Sequence, residues 1–402
     1  MTGGTRSYEF ARRLVASGHE VHVVSSWREP MESNDWFVTE EAGIHIHWLP
    51  VPYSNGMSYS KRILAFFRFA VLSALRARSL PSDIVFATST PLTICIPAIF
   101  ASRWQSIPMV FEVRDLWPEL PIAMGALRSP WSIFFARKLE ILAYKCSRAV
   151  VALSPGMRDG VIVAGMSKAD VAVIPNACDF QLFNSPKSDV DKFRSERSWL
   201  GNSPLLVYAG TLGRINGVHY LVDIAGELKR IGSNVKVLVV GDGSEKAFIR
   251  SYAERAGVMG NNFFLEDSIP KYKVSTLYGA ATMVCSLFVD LPEMRANSAN
   301  KFFDGLAAGK PVFVNYGGWH RDLISDNKCG VVAWGKSDGA VAREIANITS
   351  NERTLYEMAN NSLQLAQAMF DRDRLAYQLE IVLDAAVNKD DFDFSSVDEV
   401  LG

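Results

Sequence analysis

The chain has 402 residues, of which 49% are hydrophobic and 21% are charged, with a formal net charge of −1. This length suits two domains of about 150–200 residues. The near-neutral charge gives no indication of a nucleic-acid partner. The five cysteines are odd in number and never closer than 32 residues, which excludes CxxC metal sites and predicts a reducing compartment.

No targeting or spanning segment is predicted. The first helix, at about 5–17, is too charged for a signal peptide. The apolar stretch 63–75 contains Arg68 and is too short to cross a bilayer. We therefore expect a cytoplasmic protein.

Short apolar strands and helices alternate along the first half of the chain. The first helix ends at Gly18, a residue suited to the C′ position. The predicted strands are HEVHVVSS, GIHIHWLPV, SDIVFATS, SIPMVFEVRD, SRAVVALS and VAVIPNA. The predicted helices cover 59–79, 92–104, 130–146 and 155–163. This alternation indicates a parallel sheet covered on both faces, the doubly wound plan.

A second alternation begins at LLVYAG, after a polar stretch. The predicted fold class is α/β, with two Rossmann-like domains facing a cleft, and the site is expected in the loops after the strands. The predicted divisions are an N-terminal domain 1–180, a linker 181–203 with room for one short helix, a C-terminal domain 204–368, a C-terminal helix 369–388 that packs back on the N-terminal domain, and an acidic, mobile tail 389–402.

The stretch ANSANKFFDGLAAGKPVFVN, at 296–315, carries the strongest pattern. Ser298 is a candidate N-cap, which would direct the first-turn amides, including that of Asn300, into the cleft beside Lys301. A helix N-terminus with a lysine predicts a phosphate site. Asp304 lies on the same helical face, where a carboxylate can accept two hydrogen bonds from a vicinal diol such as ribose. A plain capped amphipathic helix is the alternative that the spacing leaves open.

Two glycine-rich turns follow strands of the second domain. YAGTLGRINGVHYL places Gly210 and Thr211 after a strand and Arg214 before a helix, which suits close approach of the backbone to a diphosphate. GDGSEK repeats the pattern with Gly241 and Gly243 but lacks the third glycine of a dinucleotide fingerprint. Such turns are common, so each alone is a weak signal.

A third candidate stretch, FEVRDLWPELP, lies in the first domain. Arg114 and Asp115 directly follow its apolar residues, which places them at the rim of the cleft. A helix cap is the alternative role for an aspartate at this position.

These stretches, in this order on this domain plan, resemble the family 4 retaining glycosyltransferases of the GT-B type. VRDLWPE, NKFFDGLAAGKPV and GGTR are similar to motifs of the bacterial N-acetylfucosamine transferases of capsule and O-antigen synthesis, and the likeness covers nearly the whole chain. The resemblance implies an N-terminal domain that binds the acceptor and a C-terminal domain that binds a nucleoside-diphosphate sugar, expected to be UDP-linked.

The resemblance also has departures. Asp304 corresponds to the acid that holds the donor ribose, but Ala296 stands where the family usually has a glutamate, with Glu293 as the nearby carboxylate that could substitute. Neither Thr211 nor Asn216 is basic, although they stand where the family has an arginine and a lysine on the diphosphate.

Other residues are expected to take over that work. The resemblance leaves Arg214 and Lys301 to neutralise the diphosphate, with Lys301 in a catalytic role. Arg114 and Asp115 stand where many relatives have a cleft His-Asp pair, which makes them catalytic residues that orient acceptor and sugar.

The chain begins MTGGTR, and the resemblance places Gly3 and Gly4 in a loop that approaches the donor phosphates after a first strand. No strand precedes this loop, so the first strand of the N-terminal domain is expected to be missing. A start codon assigned too late is the favoured explanation, and a truncated, inactive copy is the alternative.

Patterns that resemble metal sites have simpler explanations. His45 and His47 share one strand face with no third ligand nearby, as on an edge strand. Three Asp-x-Asp pairs lie in the linker, the final helices and the tail. No metal and no cofactor are predicted.

One helix is strongly basic, because no acidic residue occurs between Glu41 and Asp83. Two interpretations stay open: a core helix with snorkelling arginines, or docking on the anionic inner leaflet of a membrane, which a lipid-linked acceptor favours. Its cations are Lys61, Arg62, Arg68, Arg76 and Arg78.

The resulting hypothesis is a retaining, metal-independent glycosyltransferase, peripheral on the inner face of the cytoplasmic membrane. It would move a hexosyl or N-acetylhexosaminyl group, such as an N-acetylated deoxyhexosamine, from a nucleoside-diphosphate sugar to a lipid-linked glycan in surface polysaccharide synthesis. The alternatives are a catalytically inactive sugar-nucleotide-binding subunit, motivated by Ala296 and the missing strand, and a nucleotide-sugar epimerase of similar architecture.

Overall fold

The computed structural model describes residues 6–29, 31, 33–51, 57, 59–89, 91–388 and 391–399, with the backbone alone for 59, 60, 62, 63, 398 and 399. These residues form two compact units. The first unit contains the described residues up to Pro175 and those from Asp373 onward, and the second unit contains Asn176–Arg372. The predicted linker 181–203 therefore belongs to the second unit.

The first unit alternates strands and helices. Strands β4, β5, β6 and β7 form a parallel sheet in that order, and β5 and β6 are buried throughout, as a sheet between two helix layers requires. The elements of the unit are α1 (Arg6–Ala16), β1 (His22–Trp27), β2 (Phe37–Glu41), β3 (Ile44–Pro50), α2 (Tyr59–Ala77), β4 (Val85–Thr88), α3 (Cys95–Gln105), β5 (Met109–Val113), α4 (Glu119–Ala123), α5 (Pro130–Lys145), β6 (Ala149–Ala152), α6 (Pro155–Val163) and β7 (Val171–Val173).

The remaining strands of the first unit form a separate sheet in the order β1–β3–β2. β1 runs parallel to β3, whereas β2 pairs antiparallel with β3 through a turn at Ala42 and Gly43, both with positive φ. Strand β2 was not predicted from the sequence, because the segment FVTEE has no apolar run. Among the described residues, no strand joins this sheet to the one that contains β4.

The second unit contains one parallel sheet with the strand order β10–β9–β8–β11–β12–β13. Its elements are α7 (Lys187–Ser195), β8 (Leu205–Ala209), α8 (Tyr220–Arg230), β9 (Lys236–Val240), α9 (Lys246–Arg255), β10 (Phe263–Glu266), α10 (Lys271–Ala280), β11 (Met283–Ser286), α11 (Asn300–Ala307), β12 (Val312–Val314), α12 (Trp319–Asn327), β13 (Gly330–Val332), α13 (Asp338–Thr349) and α14 (Glu352–Met369). The final helix, α15 (Arg372–Asn388), belongs to the first unit from Asp373 onward.

The two faces of the second sheet are covered by different helices. Helices α8, α9 and α13 pack on one face, and α10, α11 and α14 pack on the other. The strand order reverses between β8 and β11, and sheets of this kind bind ligands at such a switch point. The prediction of two Rossmann-like α/β domains is confirmed.

The predicted linker is folded. Its helix α7 packs against α10. The Arg194 guanidinium donates to the carbonyl of Ala280 at 2.7 Å and to that of Ser203 at 2.6 Å. These bonds hold the polar segment to the body of the second unit.

The tail also differs from the expectation of a mobile segment. Phe394 and Val397 are fully buried, in a short 3-10 helix at Phe394–Glu399. Arg148 lies 5.2 Å from the centroid of the Phe394 ring, and the side chain of Gln378 in α15 donates to the carbonyl of Val397 at 3.1 Å. Two apolar residues within an acidic segment thus hold it against the first unit.

Candidate active site

The loop after β8 meets the first turn of α11 at the switch point of the second sheet. Gly210 follows β8, and its N–H donates to the carbonyl of Val240 at 2.9 Å. A Cβ on Gly210 would collide with Cε of Lys301 and lie 2.9 Å from its Nζ. The missing side chain at 210 is therefore what lets Lys301 lie beside the end of β8.

An aromatic ring helps to hold Lys301. Its Nζ lies 5.1 Å from the centroid of the Tyr208 ring, within the range of a cation–π interaction. Tyr208 is fully buried, and its hydroxyl donates to the carbonyl of Thr211 at 2.8 Å. Burial lowers the pKa of Lys301, while the nearby Asp304 carboxylate raises it. Lys301 as a whole is partly exposed, and these contacts hold its amine in a defined position.

Asp304 lies one turn after Lys301 on α11, on the same helical face. Burial raises the pKa of Asp304 to about 6, although the positive charges of Lys271, Arg372 and Lys301 oppose this shift. The residue remains partly exposed. Its carboxyl group is therefore mostly ionised at neutral pH and can accept hydrogen bonds from a ligand.

Ser298 is not the N-cap of α11, contrary to the prediction. The helix begins at Asn300, and Ala299 caps it without a side-chain hydrogen bond. The Ser298 hydroxyl instead accepts from the N–H of Asn176 at 3.2 Å, and its carbonyl accepts from the Asn176 side chain at 2.6 Å. The Ser298 hydroxyl, which its residue type predicts as the cap of α11, thus forms a hydrogen bond with a residue far away in the chain. The first N–H groups of α11, including that of Lys301, still lack acceptors within the helix.

Gly241 and Gly243 shape the neighbouring loop. A Cβ on Gly241 would collide with the carbonyl oxygen of Gly210, and a Cβ on Gly243 would collide with that of Leu212. The N–H of Leu212 donates to the carbonyl of Asp242 at 2.8 Å. The two glycine loops therefore pack backbone against backbone, which only residues without side chains allow.

Arg214 lies further along the loop that Gly210 begins, in the 3-10 turn Arg214–Asn216. Arg214 and Thr211 are both exposed. The described part of the chain offers the Arg214 guanidinium no ion pair or hydrogen bond. This second cation is therefore available to a charged ligand.

In the first unit, a buried ion pair lies where β4 and β5 end. Arg6 Nε donates to Glu112 Oε2 at 2.7 Å, and the Thr88 hydroxyl donates to Glu112 Oε1 at 2.7 Å. Arg6 also donates to the carbonyls of Ile174 and Pro175. One guanidinium thus ties the start of α1 to β5 and to the last residues before the second unit.

Arg114 and Asp115 follow β5 and are half-buried. The N–H of Arg114 donates to the hydroxyl of Ser89 at 2.9 Å, and Ser89 is buried directly after β4. This bond fixes the backbone that carries the two predicted catalytic side chains.

Two family models match the chain. Residues 2–177 match the model described as "Glycosyl transferase 4-like domain", and residues 189–364 match the one described as "Glycosyl transferases group 1". The chain is a GT-B glycosyltransferase. The resemblance drawn from the motifs is confirmed at this level, while the N-acetylfucosamine branch stays a prediction.

The glycosyltransferase has relatives in sequence and in structure. It is 24% identical over 285 residues to the putative colanic acid biosynthesis glycosyl transferase WcaI of Escherichia coli (strain K12), which covers 66% of this chain and 68% of that one. Sucrose-phosphate synthase from Thermosynechococcus elongatus has a TM-score of 0.75 at 15% identity, covering 94% of this chain and 93% of that one. Anabaena HepE in complex with UDP and glucose has a TM-score of 0.67 at 19% identity, covering 86% and 87%. These two structures share the fold.

Arg6, Glu112 and Ser89 of this glycosyltransferase were not predicted from the sequence. A signal was present, because Glu112 interrupts the apolar strand SIPMVFEV and Arg6 directly follows the glycine loop. A charge inside a buried strand needs a partner. The sequence does not say which of the many arginines provides it.

Two further predictions concern the glycines at the start of the chain and the carboxylate Glu293 before α11. Gly3 and Gly4 lie outside the described residues. Glu293 lies in the 3-10 segment Pro292–Ala296, which leads towards α11. Its Oε2 is buried, and none of the described residues forms a hydrogen bond with it. A carboxylate oxygen without a protein partner thus lies three residues before Ala296.

Arg76, one of the predicted membrane-docking residues, has a partner within the first unit. Its guanidinium donates to His47 Nδ1 at 3.2 Å and lies 6.0 Å from the ring of Trp36. Burial, with the Arg76 charge as the next cause, lowers the pKa of His47 to about 4, so the ring is neutral and accepts the bond. Arg76 is therefore used inside the first unit.

The other docking candidates differ in their surroundings. Lys61 and Arg68 are exposed, only the backbone of Arg62 is described, and Arg78 lies 4.8 Å from the ring centroid of Trp104. Helix α2 packs through small residues and the partly buried Phe69 and Leu72, while four of its large apolar residues are exposed. The core-helix interpretation thus accounts for one face only. The small residues are Ala65, Ala70 and Ala74, and the exposed ones are Leu64, Phe67, Val71 and Leu75.

The described helices and side chains bear on membranes and metals. No described helix is both long enough and apolar enough to cross a bilayer. In the same part of the chain, no three His, Cys, Asp or Glu side chains are grouped so that they could hold a metal ion. Lys301 and Asp304 on α11, and Arg214 in the loop after β8, are charged groups of the candidate site.

Proposed function

We propose that this glycosyltransferase is a retaining enzyme that transfers a sugar from a UDP-sugar to a lipid-linked glycan in surface polysaccharide synthesis. The observation that carries the proposal is the close contact of Gly210 with Lys301 at the switch point. The choice of UDP is supported by HepE, whose structure holds UDP and glucose. The choice of a surface polysaccharide is supported by WcaI, which is named for colanic acid biosynthesis.

The donor diphosphate would bind at Lys301 and the first turn of α11. The free N–H groups of a helix start and an ammonium group both favour an anion, and Arg214 supplies a second, exposed cation. Negative charge grows on the diphosphate as its bond to the anomeric carbon breaks. Cations held in place stabilise that developing charge more than they stabilise the bound donor, which lowers the barrier. In this scheme Lys301 and Arg214 stabilise the departing diphosphate without a metal cofactor.

The donor ribose would bind at Asp304. An ionised carboxylate accepts hydrogen bonds from two adjacent hydroxyl groups, and charge-assisted bonds of this kind are stronger than neutral ones. Asp304 lies one turn from Lys301, so ribose and diphosphate would be held by the same helix. Gly241 and Gly243 would contribute by keeping the Gly210 loop in position.

The acceptor would bind to the first unit. Arg114 and Asp115 stand at the carboxyl end of β5, on a backbone that Ser89 fixes. We assign them the orientation of acceptor and sugar. The motifs VRDLWPE and NKFFDGLAAGKPV favour an N-acetylated deoxyhexosamine as the transferred group.

The proposed location is the inner face of the cytoplasmic membrane, where a lipid-linked acceptor would be available. Lys61 and Arg68, exposed on α2, support an electrostatic contribution to this association. A catalytically inactive sugar-nucleotide-binding subunit is the second candidate, and Ala296 is the observation that favours it.

A donor screen tests the proposal. UDP and GDP are titrated calorimetrically, and a panel of UDP-sugars is then incubated with the protein and purified inner membranes. We expect UDP to bind and one UDP-sugar to be consumed, with the anomeric configuration of the donor retained in the product by NMR. UDP binding without turnover of any donor would select the inactive subunit, and failure to bind UDP would overturn the proposed donor.

A further inference from the structure

The first unit exposes a concentration of aromatic side chains on three neighbouring helices. Among the described residues, seven Phe and Trp side chains are exposed, and all but Phe248 lie on α2, α3 and α5. The most exposed are Trp131 at 73%, Phe135 at 64% and Trp104 at 62%. Isolated exposed apolar residues are ordinary, but a cluster marks an interaction surface. We call the six residues the aromatic surface: Phe67, Phe100, Trp104, Trp131, Phe134 and Phe135.

The three helices are linked to one another. Helix α3 packs against both α2 and α5. Arg78, just after α2, lies over the ring of Trp104 in α3, and Arg103 of α3 donates to Cys146 Sγ, just after α5, at 3.2 Å. The helices that carry the aromatic surface therefore pack side by side, and Phe100 and Trp104 of α3 line one groove with Leu139 and Leu142 of α5.

An open apolar groove runs between α3 and α5 within this patch. It has a volume of about 400 Å³. Its walls include Ile99 and Trp104 on α3 and Leu139 and Leu142 on α5, and Arg103 is the charged residue among them. The groove combines an apolar floor with a cation at its rim.

The charge of the helices indicates what covers the patch. Helices α2, α3 and α5 contain eight lysines and arginines, and Glu140, which is buried, is their one acidic residue. A symmetric dimer through this patch would bring the same cations of two copies together, which is unfavourable. An anionic lipid surface is complementary instead, since it takes aromatic rings at the headgroup level and cations at the phosphates.

We propose that the aromatic surface inserts into the headgroup region of an anionic bilayer, with Trp131, Phe134 and Phe135 of α5 as the main inserting side chains. This inference rests on the proposed membrane-associated function and names the surface responsible. It moves the principal contact from the cations of α2 to α5. The exposed Lys138 and Lys145 of α5 then meet lipid phosphates.

The experiment is vesicle flotation with the full-length protein. Vesicles of phosphatidylcholine contain phosphatidylglycerol at increasing fractions. We expect the wild-type protein to float with anionic vesicles and the triple variant Trp131→Ser/Phe134→Ser/Phe135→Ser to bind at least about tenfold more weakly. The matched control is Phe248→Ser/Tyr356→Ser, which removes two exposed aromatic side chains from the second unit and should float like the wild type.

A second pair of variants tests the contribution of charge separately from that of aromatic insertion. It also provides a test if the triple variant misfolds. Lys138→Glu/Lys145→Glu should weaken flotation, whereas Lys187→Glu/Lys192→Glu on α7 should not. Equal flotation of the wild type and both α5 variants would overturn the proposal. So would light scattering that shows a wild-type dimer, without vesicles, which the triple variant loses.

UDP titration of the same variants in solution keeps the two proposals apart. Intact UDP binding by the triple variant, together with its lost flotation, supports the surface. If the wild-type protein floats with vesicles but binds no UDP, the proposed donor is wrong and the membrane role of the aromatic surface is supported.

Discussion

Arg6 Nε lies 2.7 Å from Glu112 Oε2, and the two side chains are only 3% and 1% exposed. Glu112 lies within the buried strand β5, and the charge of each side chain is compensated by the other. Removing one partner leaves an uncompensated buried charge, which is far more destabilising than the loss of an exposed pair.

Arg6→Ala should therefore lower the free energy of unfolding by about 3–5 kcal/mol. The matched control is Arg12→Ala on the same helix, because the Arg12 side chain is 39% exposed in its pair with Glu9. An exposed pair contributes about 0–1 kcal/mol. Urea unfolding of both variants measures the difference, and equal stabilities would contradict a structural role for the Arg6–Glu112 pair.

Gly210→Ala should damage the donor site more than the fold. The new methyl group collides with Cε of Lys301, whose side chain can rotate away but then leaves its position over Tyr208. We expect UDP affinity to fall on the order of ten- to a hundredfold, as for the loss of a charge-assisted hydrogen bond.

Gly232→Ala provides the control for that experiment. Gly232 also has a positive φ, of 72°, but a Cβ there meets nothing within 4 Å. Both variants should lose about 1–2 kcal/mol of stability from backbone strain. Calorimetric titration should separate them, and a Gly210→Ala protein that binds UDP normally would argue against Lys301 as a phosphate ligand.

Lys301→Met should lower turnover more than donor binding. The charge acts most strongly on the diphosphate as it departs, so we expect kcat to fall on the order of a hundredfold. Lys236→Met is the control, because Lys236 lies at the opposite end of the same sheet and donates to the carbonyl of Asn261 at 2.8 Å. Steady-state kinetics on the two variants provides the test, and unchanged turnover for Lys301→Met would make the lysine a structural residue only.

Donor affinity should depend on pH through Asp304. Burial raises the pKa of Asp304 to about 6 in the free protein, so its acceptor form is lost as the pH falls through that value. Affinity for a UDP-sugar should be constant above about pH 7 and fall about tenfold per pH unit below about pH 6. The sugar-linked diphosphate does not titrate in this range.

Asp304→Asn removes the titrating group and leaves a similar shape. This variant should bind the UDP-sugar more weakly by about 2–3 kcal/mol at neutral pH and show no dependence near pH 6. Titration of the UDP-sugar into the wild type and the variant at a series of pH values around 6 measures this difference. If the asparagine variant kept the same pH profile, another group would be responsible.

The second unit was largely predictable from its sequence. Runs such as LLVYA and KVLVV, each followed by a glycine turn and a helix, correspond to β8 and β9. Alternation of this kind is a local property, and so is the shared helical face of Lys301 and Asp304. The strand β2 was not predicted, because only its first two residues are apolar and no helix flanks it on either side.

The contacts that the sequence did not predict are those whose partners lie far away in the chain. Ser298 has a side chain suited to an N-cap, but its hydroxyl accepts a hydrogen bond from the N–H of Asn176. Arg76 belongs to a basic helix, but His47 accepts its hydrogen bond. Local preferences are worth about 1 kcal/mol each, so one tertiary hydrogen bond can override them. A single sequence does not contain this pairing information.

Phe394 and Val397 pack within the first unit although the segment around them is acidic and polar. A nonsense mutation introduced after 390 would therefore act as a core mutation, since removing each buried large side chain costs about 2–5 kcal/mol. The donor residues belong to the other unit and would keep their contacts. Such an allele should be temperature-sensitive: functional in cells grown cool, and cleared by proteases when the first unit opens in warmer cells.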